Sequence, residues 1–239
     1  MNQRRNPVKF GRAERNYAVQ LRRLARHVGE VISGFGVPST EEVPTLTNML
    51  RAYAESLIPW ATKTATQMLE EVNAKDKAAW DLLSDRVSVA LRREIMNAPT
   101  GERMRELLAE QVTLIKSIPL DAAQRVHDWT IKGLEDSTRA DEVAREIMRS
   151  GDVSASRAIL IARTETSRTA TVLTQARAEH IGSPGYVWQT SGDGDVRPSH
   201  KKMNGQFVSW GSPPTLDNMT GHAGSLPNCR CLPRIILPE

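Results

Sequence analysis

An α+β fold, mostly α, with its strands confined to the C-terminal end, follows from three observations on this 239-residue sequence. Apolar residues recur at helical spacing from about residue 12 to residue 182, the signature of amphipathic helices. After residue 183 that period gives way to short β-prone runs bounded by turn residues. Gly, Pro, Asn and Ser also gather there, so the tail reads as compact and turn-rich. The expected product is an N-terminal helical bundle, then a helix packed on a small antiparallel sheet.

The composition, 39% hydrophobic and 25% charged, supports a buried core. No apolar run approaches the ~20 residues of a membrane-spanning helix. The N-terminus is basic but no apolar stretch follows it, so no secretory signal is expected. Cys229 and Cys231, one residue apart, make no disulfide framework, and folding in a reducing cytosol is expected. Net charge is only +4, yet residues 1–30 carry Arg4, Arg5, Lys9, Arg12, Arg15, Arg22, Arg23 and Arg26 against Glu14 and Glu30. Such a segment suits double-stranded DNA or an acidic protein surface. It is equally the pattern of a solvated helix face, and it lacks the interleaved aromatics that stack bases.

Taken in order, residues 12–33 form the first expected helix, with Tyr17, Leu21, Leu24, Val28 and Val31 on one stripe and Gly34-Phe35-Gly36-Val37-Pro38 ending it. A second starts near Pro44, carries Leu46, Met49, Leu50, Tyr53 and Leu57, and breaks or kinks at Pro59 before resuming through Val72. A third spans about 76–97, with Trp80, Leu83, Val87, Ala90, Leu91 and Ile95 inward. A fourth carries Met104 to Ile118 and stops at Pro119. Shorter helices follow: about 121–132 ending near Gly133, one capped by Ser137 or Thr138 and ending at Gly151, and one capped by Ser154 and closed by Gly182. The tail offers a strand at Tyr186–Thr190, a loop through Gly192-Asp193-Gly194-Asp195, a hairpin at Asn204-Gly205 leading into Gln206-Phe207-Val208, a long loop over 211–228, and a last strand from Leu232 to Leu237.

Few residues carry chemistry. On the last helix, Ala158, Ile161, Val172 and Ala176 share a stripe with Glu165 and Arg168. A charged pair on an apolar stripe must be paired to be tolerated. A structural ion pair is the preferred reading, an active-site carboxylate the alternative. Cys229 and Cys231 with His200 and His222 make a candidate zinc set, since thiolates and imidazole suit that ion. The alternative is a pair of small buried residues in a sharp turn, with His200 hydrogen-bonded to the loop. Arg197 is expected to pair with Asp193, Asp195 or Glu165 and so lock the loop to the helix. P-loop, G-x-S-x-G and dinucleotide fingerprints are missing from the sequence, and no cofactor other than zinc is suggested.

The ordered combination of Ile161-Ala162-Arg163-Thr164-Glu165, Tyr186-x-Trp188-x-Thr190-x-x-Asp193, Val196-Arg197-Pro198-Ser199-His200, Asn204-Gly205 and Asn228-Cys229-Arg230-Cys231 resembles the phage head-morphogenesis family, the Mu F-like minor head proteins. The resemblance covers roughly 118–237. It implies a head-morphogenesis domain over 118–239, behind a helical docking and assembly region over 1–117. It also implies a minor capsid protein of a tailed phage or prophage, made in the bacterial host cytoplasm. Such a protein sits in the procapsid or head interior beside the portal protein and capsid or scaffolding proteins, and in some cases contacts DNA and leaves with it. No enzymatic activity is implied. An ADP-ribosyltransferase-like or metal-dependent enzyme using Glu165 or His200 is the competing reading, and it requires a cleft with one of them at its floor. The structural reading instead expects Arg163, Glu165, Arg168, Trp188, Asp193, Asp195, Arg197, His200, Asn204 and Gly205 to form a polar clasp that lines no deep pocket.

Overall fold

The computed structural model describes residues 10–35, 41–84, 88–135 and 140–238. Among the described residues the helices run in the order α1 (Gly11–Gly34), α2 (Val43–Ser56), α3 (Ile58–Ser84), α4 (Val89–Asn97), α5 (Thr100–Glu135), α6 (Ala140–His180) and the short α7 (Pro198–Met203). The strands are β1 (Gly185–Gln189), β2 (Phe207–Ser209), β3 (Thr215–Leu216), β4 (Met219–Thr220) and β5 (Leu232–Ile235). The fold is α+β and mostly α, as the sequence predicts.

Two compact units share the chain. One comprises Arg15–Thr66 and Ala109–Ala162; the other comprises Met1–Glu14, Gln67–Leu108 and Arg163–Glu239. The boundary expected after residue 117 falls inside α5.

Among the described residues, the first unit is built of helices and short turns, without strands. Tyr17, Leu21, Leu24 and Val28 of α1 are buried as the spacing predicts. The stripe then drifts to Ile32 and leaves Val31 only half-buried, because 3.6 residues per turn shifts the inward face. On α2, Leu46 and Leu50 are buried while Met49 is exposed, and Leu57, just past the helix end, is buried too. Tyr17 donates to Gln111 Oε1 at 2.9 Å in the buried interior.

Several expected breaks are absent. Helix α3 passes through Asp76 without a new start, although Pro59 does sit in its first turn. There a missing N–H costs nothing. Pro119 lies within α5, buried, and the helix continues past Gly133 to Glu135. One lost backbone bond is outweighed by the burial of Ile115, Ile118, Ala122 and Val126 around it. Gly151 lies inside α6: a Cβ there would stand 3.2 Å from the Gly29 Cα, so this glycine permits close helix packing. Ser154 caps nothing; it is buried and donates to the Ser150 carbonyl at 2.7 Å. Val87, Ser137, Thr138 and Gly36 to Pro38 lie outside the described residues, as does the Leu83 side chain.

The second unit holds the sheet. Gly182, at φ 76°, ends α6. Ser183 N–H reaches the Ala178 carbonyl at 2.9 Å and Gly182 N–H reaches Glu179 at 3.0 Å, the paired bonds of a left-handed helix stop. Strand β1 is central, antiparallel to both β2 and β5 in the order β2-β1-β5. Tyr186 and Trp188 point inward, onto Trp80, Ile95, Ala178, Trp210, Ala223, Leu226 and Ile235. Asn204-Gly205 forms no two-residue hairpin. It closes a turn after α7, with Gly205 at φ 84° and Gln206 N–H bonded to Met203 O at 2.9 Å; Asn204 at φ −57°, ψ 123° makes it type II. The true tight hairpin is β3–β4, turned by Asp217 and Asn218, both left-handed, inside the stretch expected as loop.

Beneath the sheet, Asp76 of α3 receives Arg177 Nη1 and, at 2.7 Å, the Thr174 hydroxyl of α6. Arg177 Nη2 also donates to Asn73 Oδ1 at 2.8 Å. Both charged side chains are almost fully buried. Removing one partner leaves the other charged and dry, so Asp76→Ala is expected to cost about 3–5 kcal/mol. Combining Asp76→Leu with Arg177→Met should recover most of that loss, as read by urea denaturation.

Candidate functional site

The site forms where two segments without a shared ladder meet. Pro198 starts α7 directly after Arg197 and carries His200 inward, only 3% exposed. From the other side comes the 227–231 turn. Asn228 adopts φ 57°, and its N–H donates to Thr164 Oγ1 at 3.0 Å, which ties the turn to α6. The turn brings Cys229 and Cys231 inward, both buried and neither in a disulfide. His200 Nδ1 lies 3.4 Å from Cys229 Sγ and 3.7 Å from Cys231 Sγ.

Electrostatics favour charge on sulfur. The Cys229 thiol is held below its ordinary pKa, first by a hydrogen bond from the Cys231 thiol, then by the N–H groups of Cys231 and Gly224 and by His200, against burial. The Gly224 N–H stands 3.4 Å from the sulfur. Cys231 is pushed up by the same thiol–thiolate bond and by burial. The imidazole is held edge-on to Trp188, ring centroids 5.6 Å apart. Its Nε2 is buried with no partner among the described residues, and its polar contacts there run through Nδ1, toward the sulfurs.

His222 stands apart from this cluster. Its Nδ1 meets the Tyr186 hydroxyl at 3.2 Å, and its ring packs edge-on against Tyr186 and Trp210. Burial lowers its pKa and raises that of Tyr186. The Tyr186 oxygen accepts the Ala223 N–H at 3.1 Å, and Thr171 donates to Ala223 O at 2.7 Å. The long loop is thereby buried at its centre.

Around this cluster, Arg197 does not make the carboxylate pairings expected of it. Arg230, between the cysteines, pairs with Asp193 at 2.9 Å and Asp195 at 3.5 Å. Arg197 instead donates to the Pro227 carbonyl at 2.7 Å. Glu165 and Arg168 pair with each other at 3.1 Å, and Arg163 sits 3.7 Å from Glu14. Asn204 Oδ1 accepts the Thr190 N–H at 3.0 Å, and Gly205 N–H extends the ladder to Trp188 O. The clasp does line a cavity, of about 270 Å³, walled by Arg163, Asp193, Asp195, Arg197, His200, Cys229, Arg230 and Cys231 among others. His200 thus lies in a cleft, while Glu165 is not among its walls. Arg230, present in the Asn228-Cys229-Arg230-Cys231 motif, had no expected partner, although its place between two cysteines of a chain with an acidic Asp193-Gly194-Asp195 loop was the available signal.

Of the basic arm, Arg12, Arg15, Arg22, Arg23 and Arg26 lie exposed on α1, while Arg4, Arg5 and Lys9 lie outside the described residues. At 100° per residue these five arginines fall within an arc of about 100°, opposite the buried stripe.

Comparison with known proteins bears on this arrangement directly. Residues 124–233 match the family model described as Phage Mu protein F like protein. The head-morphogenesis resemblance is supported, and every residue of the His200–Cys229–Cys231 site lies within the matched Mu F-like segment. An uncharacterized protein of Haemophilus influenzae (strain ATCC 51907 / DSM 11121 / KW20 / Rd) is 32% identical over 151 residues, which is 63% of this chain and 33% of that protein. The chain thus spans about a third of the length of the curated relative it matches. No solved structure matches.

If the left-handed Asn228 sets the cysteine turn, Asn228→Gly should stay within a few tenths of a kcal/mol of the parent. Asn228→Val should lose about 1–2 kcal/mol, measured as thermal stability at fixed pH.

Proposed function

We propose that this protein is a minor head protein of a tailed phage or prophage, acting in head morphogenesis inside the procapsid. The observation that carries this reading is the Mu F-like match over the whole C-terminal site. In the same reading, the portal protein is its principal partner, with capsid or scaffolding proteins around it. The exposed arginine face of α1 supports a contact with double-stranded DNA. Five guanidiniums on one side of a helix match a polyanion without any need for base readout. Among the described residues no helix is long and apolar enough to cross a membrane.

The direct test is co-expression with the portal protein of the same genome, followed by isolation of assembling heads. Recovery of the chain with portal-containing particles is expected; a chain absent from heads while the portal is present would contradict the proposal. For DNA, each phosphate neutralised contributes about −0.9 to the slope of log K against log salt. Replacing Arg12, Arg15, Arg22, Arg23 and Arg26 by Gln should flatten that slope by several units in an anisotropy titration. An unchanged slope would remove α1 as the DNA contact.

A further inference from the structure

We propose that His200, Cys229 and Cys231 form a zinc site with three protein ligands, its fourth position filled by water from the cavity they line. The proposal goes beyond the head-protein reading and does not depend on it.

Geometry is the main support. Tetrahedral zinc, with Zn–S near 2.3 Å and Zn–N near 2.0 Å, sets sulfur and nitrogen about 3.5 Å apart and two sulfurs about 3.8 Å apart. The two sulfur–nitrogen separations here are 3.4 and 3.7 Å, and all three donor atoms lie within 4.8 Å of one another. A hydrogen-bonded Cys–His pair needs one such approach; two sulfurs converging on one imidazole nitrogen outline three corners of a coordination polyhedron. All three residues are buried, and they arrive from segments about thirty residues apart in the chain. The backbone also serves thiolates: the Gly224 N–H donates to Cys229 Sγ, the kind of outer-shell contact that tunes a metal–thiolate bond.

The ligand types select the ion. Two thiolates and an imidazole suit zinc and exclude magnesium and calcium, which take oxygen. No carboxylate joins the cluster among the described residues. Asp193, one of the two carboxylates in the cavity wall, has its oxygens occupied by Arg230 and by the Asp195 N–H at 3.2 Å. The fourth position therefore opens to the cavity, whose walls also carry Arg163, Arg197 and Arg230. A neutral Cys₂His–water ion sits among these guanidiniums without added repulsion.

The test uses full-length protein stripped of metal and titrated with Co²⁺. Expected are one cobalt per chain, a thiolate-to-metal charge-transfer band in the near ultraviolet, intense visible bands of a tetrahedral ion, and their loss on adding one equivalent of Zn²⁺. Cys229→Ser combined with Cys231→Ser should abolish the charge-transfer band. His200→Ala should weaken binding at least about tenfold, whereas His222→Ala should bind as the parent does. A parent protein that takes up under about a tenth of an equivalent, or shows only the weak bands of an octahedral ion, overturns the site. So does a double serine variant with an unchanged charge-transfer band. Since the parent spectrum decides by itself, a variant that fails to fold leaves the test intact.

Discussion

The C-terminal unit depends on the meeting of one histidine with two cysteines. Its three-stranded sheet is small: five residues in β1, three in β2 and four in β5. Strands this short, joined by long connections, bury little on their own. The connection from β1 to β2 runs through the acidic loop and α7, and the one from β2 to β5 runs through a minor hairpin and the 221–231 segment. His200 lies on the first and the cysteines on the second. Their contact, with Arg230 on Asp193 and Asp195 beside it, fixes one connection against the other. Thr164 and Thr171 fasten the second connection to α6, through Asn228 and Ala223. An ion that binds only the folded state would add its binding free energy to this arrangement.

A second constraint works from the opposite side of the same core. The buried Asp76–Arg177 pair, with Thr174 and Asn73, ties α3 to α6 under the aromatic cluster of Tyr186, Trp188 and Trp210. Apolar packing would hold two helices together in many registers; a fully hydrogen-bonded charge pair is satisfied in few. The sheet is thereby offered one platform, and the short strands need no long ladder to find their place.

How much of this could be read from the sequence depends on the range of the forces involved. Helix α1 and strands β1 and β5 were legible because apolar period is a local signal. The joins of α5 and α6 were not. Pro119 and Gly151 act as stops only when nothing else rewards continuation, and here buried neighbours and the Gly29 contact decide. Asn204-Gly205 was rightly a turn but the wrong type, because a helix precedes it. The cluster of His200 with Cys229 and Cys231 was visible as residue types. Its separation from His222 was not, since only tertiary packing gives His222 to Tyr186 and Trp210. Asp76 and Arg177, one hundred and one residues apart, left no local trace.

Within the segment that matches the Mu F-like family, Arg197 and Arg230 bind the chain's own carbonyl and carboxylates, and the thiol–imidazole cluster is the group with a donor set suited to a metal. Zinc-edge X-ray absorption on the full-length protein, purified without added metal and then given one equivalent of Zn²⁺, tests that feature most directly. The account predicts a first shell of two sulfurs near 2.3 Å with nitrogen and oxygen near 2.0 Å. A first shell of nitrogen and oxygen alone would contradict it.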